Sequence, residues 1–84
     1  NLYFIARKNI MIKVCFMGGI SRYSNKSVNY MLAEIENNLE LYAEIELPNY
    51  DVPEEYGYDE LKEEIINQAK ENKIDVKKLE FWWD

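Results

Sequence analysis

Apolar and polar residues alternate most cleanly over Leu39–Leu47, LELYAEIEL. Leu39, Leu41, Ala43, Ile45 and Leu47 form one face, and Glu40, Tyr42, Glu44 and Glu46 form the other. That period of two belongs to a strand with one face buried and one in water. Pro48 ends it, having no amide hydrogen to give to a ladder. Ile10–Gly18, IMIKVCFMG, also reads as a strand. Ile12, Val14 and Phe16 alternate with Met11, Lys13 and Cys15, and Gly18-Gly19 serves as the terminator. Its second face is also largely apolar, which argues for a central position. Leu79–Trp83, LEFWW, is the last strand. Its alternation sends Trp82 and Trp83 to opposite faces, one of them expected in the core.

Asp59–Lys73 changes period. Leu61, Ile65, Ile66 and Ala69 make one stripe of a helix. Asp59 is placed to cap it, acids follow in the first turns, and Lys70 and Lys73 suit its C-terminal end. Ser27–Asn38, SVNYMLAEIENN, fits two patterns. As a helix it has Ser27 as cap and Val28, Met31, Leu32, Ile35 and the following Leu39 on one side. As a strand it would form a hairpin with the following segment through Asn37-Asn38. A two-residue loop would pair Glu36 with Leu39 and Glu34 with Leu41, which puts glutamates on the apolar face. That cost favours the helix. The expected architecture is therefore α+β, a three-stranded sheet with two helices on one face, in the order β-α-β-α-β.

At 84 residues the chain is one domain with a thin core. No run of apolar residues is long enough to span a membrane as a helix. Asn1–Phe4, NLYF, resembles part of the recognition sequence of a plant-virus protease used to remove purification tags, although Ile5 stands where that sequence continues with glutamine. Residues 1–10 are accordingly read as an expression-tag or vector remnant, and 11–84 as the domain. One cysteine rules out an internal disulfide and fits a reducing cytoplasm. The absence of histidine removes the commonest general base and zinc ligand. Abundant Asn, Ile, Lys, Glu and Tyr suggest AT-rich codons, as in a low-GC bacterium or a phage or mobile element within one.

Charge adds more than composition does. Residues 1–29 hold five basic side chains and no acid, and residues 30–64 hold twelve acids against Lys62 alone. The net charge of −6 disfavours direct binding to nucleic acid or to anionic membranes and favours a basic partner. Glu40, Glu44 and Glu46 lie at alternate positions on one face of a strand, where neighbouring alternate positions are about 7 Å apart. Asp51, Glu54 and Glu55 continue the acidic surface, with Tyr56, Tyr58 and Trp82 as amphipathic anchors. The alternative is a solvated acidic face that keeps a small protein in solution.

Two other chemistries compete. Cys15–Arg22, CFMGGISR, resembles the phosphate-binding loop of cysteine-dependent phosphatases, in which a thiolate lies in a ring of backbone amides closed by arginine. That loop has five residues between Cys and Arg; here there are six. A buried core cysteine before a glycine turn explains the same residues. The carboxylates of 51–60 lack the spacing of a calcium loop, so no metal and no cofactor is expected. The favoured function is a non-enzymatic acidic protein-binding module. Its sharpest form is a nucleic-acid-mimicking inhibitor of a basic nucleic-acid-binding protein or nuclease, by analogy of charge and size with small anti-CRISPR and anti-restriction proteins. The alternatives are a Cys15- and Arg22-centred thiol or phosphate enzyme, and a structural subunit that forms a homodimer.

Overall fold

The computed structural model describes residues 10–83. The tag assignment for residues 1–10 therefore falls, except for Ile10, outside the described residues. Four strands form one mixed sheet: β1 (Ile12–Ile20), β2 (Ser27–Glu34), β3 (Glu40–Glu46) and β4 (Leu79–Trp83), in the spatial order β3-β2-β1-β4. β1–β2 and β2–β3 are antiparallel, and β1–β4 is parallel. One helix, α1 (Tyr58–Glu71), joins the two edge strands across one face of the sheet, and a 3-10 turn (Val76–Lys78) leads into β4.

The expected three-stranded sheet with two helices is thus corrected. Residues 27–34 are a strand, and the turn after them explains why. Asn37 and Asn38 both adopt left-handed backbone angles, φ 66° and 63°. Asparagine tolerates that region better than most residues. The Ile35 amide donates to the Leu39 carbonyl at 2.8 Å, so the hairpin loop holds three residues rather than two. One extra residue shifts the register by one and flips every side chain relative to its partner. Ala33 now faces Leu41, Met31 faces Ala43, and Glu34 faces Glu40 on the solvent side. The glutamate penalty of a two-residue loop vanishes, and with it the argument for a helix.

The glycines are also reassigned. Gly18 and Gly19 lie inside β1 and pair with Asn29 and Val28, so the strand runs on to Ile20. The helix begins at Gly57, φ 78°, with no side-chain cap, and Asp59 sits inside its first turn. A Cβ on Gly57 would stand 2.4 Å from Ile45 Cγ2, so glycine is required both for the turn and for the contact with β3.

The core lies between α1 and the sheet. Val14, Phe16, Met31, Ala33, Leu41 and Ala43 face Leu61, Ile65 and Ala69, which recur every four residues along the helix. Small residues at 33, 43 and 69 let the helix approach closely. Met31 and Ile65 have no exposed surface, and each such side chain contributes about 1.5–3 kcal/mol of burial. Past Glu71 the chain stops being helical at Lys73, φ 59°, where the Ile74 amide closes onto the Ala69 carbonyl at 2.8 Å.

Candidate functional site: two acidic regions and an aromatic groove

The sheet face away from α1 carries the outward residues of β3. The β1–β2 connection, residues 21–26, reaches past β2 to cover them. Ser21 organises this strap. Its Oγ accepts from the amides of Tyr23 (2.9 Å) and Ser24 (3.2 Å) and donates to Glu44. Glu44 also accepts from the Arg22 amide at 3.1 Å and from the Tyr42 hydroxyl at 2.8 Å. The Arg22 guanidinium forms an ion pair with Glu40 and lies 3.9 Å from the centre of the Tyr42 ring. Lys26 pairs with Glu46 at 3.1 Å. Each strand glutamate singled out by the sequence therefore has a partner from the strap.

The electrostatics follow from these contacts. The hydrogen bond from Ser21, helped by those from Tyr42 and the Arg22 amide, holds the Glu44 carboxyl below its usual range. The hydrogen bond from Arg22 does the same for Glu40, and the Arg22 pKa is raised in turn. Burial, then the hydrogen bond to Glu44 and its charge, push Tyr42 up to about 12.

The second acidic region differs. Asp51, Glu54, Glu55, Asp59, Glu60 and Glu63 occupy the β3–α1 connection and the outer side of α1, all exposed. Among the described residues none of them forms a salt bridge; the two ion pairs found there are those of the strap. The connection itself is fixed. Asn29, only 6% exposed, donates from Nδ2 to the carbonyls of Glu54 (3.2 Å) and Tyr56 (2.9 Å). The acids are thus displayed on an anchored loop.

The anchors expected from the sequence divide likewise. Tyr58 begins α1 and packs edge-on to Phe16, with ring centroids 5.2 Å apart. Tyr56 is half-buried and supplies a carbonyl to Asn29. Trp82 is 47% exposed on the open face, with Lys13 Nζ 4.6 Å from its ring centre. Neither terminal tryptophan is a core residue: Trp83, 50% exposed, stacks on Tyr58 at 5.5 Å and meets Phe16 edge-on. With Val52, Pro53, Leu47, Met17 and Glu54 it lines a groove of about 420 Å³. The sequence reading missed this groove, because it forms where residues 47–54 meet the end of β4. It also missed the strap's partnership with β3, although basic residues at 22 and 26 preceding a run of acids were a visible signal.

Cys15 and Arg22 are not brought together. Cys15 sits mid-strand on β1, opposite Leu32 and Trp82, while Arg22 is held over β3, with β2 between them. No backbone loop surrounds the thiol, since β1 continues through both glycines. No group of three or more His, Cys, Asp or Glu side chains is placed to hold a metal ion among the described residues. No described helix is long and apolar enough to cross a membrane. Comparison with known proteins finds no matching family model, no matching curated protein and no matching solved structure.

Proposed function

We propose that this chain is a non-enzymatic binding module that engages a basic protein. In the sharpest form of this reading it inhibits a nucleic-acid-binding protein by occupying the groove meant for phosphates, in the cytoplasm of a bacterium. The observation that carries the proposal is the set of exposed acids from Asp51 to Glu63 that form no ion pair among the described residues. Their field reaches a partner, whereas Glu40 and Glu46 are paired with strap cations and Glu44 is tied down by three hydrogen bonds, so these contribute less. Charge complementarity of this kind steers encounter and sets partner choice.

The test is retention of proteins from a source-cell extract, at low and raised salt, on the wild-type chain and on Asp51→Lys/Glu54→Lys/Glu55→Lys. The expected result is retention of basic proteins that salt, DNA or RNA releases and that the triple variant no longer holds. Retention indifferent to salt and to the three reversals contradicts the proposal.

One observation favours a second reading, self-association. At the outer edge of β3, Gln68 occupies the backbone of Tyr42: its amide donates to the Tyr42 carbonyl at 2.7 Å and accepts from the Tyr42 amide at 3.0 Å. The outer edge of β4 has no strand beside it among the described residues. An open edge is a template for a second chain. Sedimentation over a range of concentrations decides this, and a strict monomer removes it.

A further inference from the structure

The groove beside Trp83 differs from three other aromatic sites on the surface in one respect. Arg22 covers Tyr42, Lys13 covers Trp82, and Lys62 Nζ lies 4.9 Å from the Phe81 ring centre. Among the described residues no cation stands over Trp83. The same end of the molecule holds the acids that lack internal ion pairs, and Glu54 lines the groove itself. An indole face is the best aromatic partner for a cation, and a guanidinium can stack on it while donating to a carboxylate. Leu47, Val52 and Pro53 supply apolar wall for the methylenes of a long side chain.

We propose that this groove is the docking site for an arginine side chain of a basic partner protein, with the guanidinium against Trp83 and its charge met by Glu54. The inference rests on the proposed binding of a basic protein and names the point at which that protein is held. Trp83 is prepared for the role. Tyr58 and Phe16 fix its ring, so little side-chain freedom is lost when a ligand arrives. Asn29 fixes the loop that carries Glu54. A larger apolar hollow on the open sheet face, of about 600 Å³, is rimmed by both Lys13 and Lys78 and by Glu34. Its mixed charge selects no ligand.

The test is a titration of the isotope-labelled wild-type chain with a hexa-arginine peptide, followed through the two indole N–H signals and the backbone amides. The Trp83 indole and the amides of Val52 and Glu54 are expected to move together, and a hexa-citrulline peptide is expected to move none of them. Trp83→Leu should weaken binding about five- to tenfold, and Glu54→Gln about threefold. Wild-type mapping needs no variant, so a misfolded Trp83→Leu leaves the test intact. Shifts confined to Asp51, Glu55 and the helix acids, with Trp83 unmoved, overturn the groove while the acidic-surface reading stands. No binding at all overturns both.

Discussion

The strand glutamates and the loop acids look alike as sequence but differ as surfaces. Glu40, Glu44 and Glu46 each meet a strap residue, and Glu44 accepts three hydrogen bonds. Asp51, Glu54 and Glu55 meet no cation among the described residues, although Asn29 holds their loop firmly. Carboxylates of the first kind staple one part of the fold to another. Those of the second kind leave their charge facing solvent. Acid content alone does not separate the two; the path of the chain does.

The largest expected effect comes from disturbing the loop side at Gly57. Gly57→Ala forces a Cβ into a left-handed position and against Ile45. It should cost about 3 kcal/mol and lower Tm by roughly 10–20 °C, measured by calorimetry. An unchanged Tm would mean that the β3–α1 connection is not anchored as described.

The strap side should give a smaller effect, and one that depends on pH. Glu40 and Glu44 have folded pKa values below their ordinary 4.5. Their contribution is therefore fully present above about pH 4.5 and is lost as pH falls through the folded values. Tyr42 has the opposite sign. Its pKa is raised to about 12, so its contribution is present below its ordinary 10.0 and lost as pH rises between the two. Amide signals of Ser21–Ser24 should shift in acid and again in strong alkali, and Glu44→Gln should abolish most of the acid response. A response that survives this substitution would place the hold on the strap elsewhere.

Much of the fold was readable along the chain. β3, β4, the span of α1 and the core stripe of Leu61, Ile65 and Ala69 follow from periodicity. The second strand did not, because its register depends on two asparagines taking left-handed angles, and a single residue of loop length reverses which face carries the glutamates. The end of β1 was misread because glycine within a strand and glycine in a turn look the same in one dimension. Of the candidate site, the acids were legible but their partners were not. Arg22 and Lys26 reach β3 only because the strap folds across β2. The Trp83 groove joins residues as far apart in the chain as Met17, Leu47 and Trp83, and no local pattern records such a meeting.

The loop acids face solvent and the strand acids are committed to the strap. Affinity for the hexa-arginine peptide at low salt tests this division most directly, comparing Asp51→Asn/Glu54→Gln/Glu55→Gln with Glu40→Gln/Glu44→Gln/Glu46→Gln, each removing three charges. The loop variant should lose about tenfold or more while keeping its Tm, since exposed substitutions usually change stability by less than about 0.5 kcal/mol. The strand variant should lose Tm and keep most of its affinity. The reverse pattern, with affinity lost from the strand variant and stability from the loop variant, would contradict the claim.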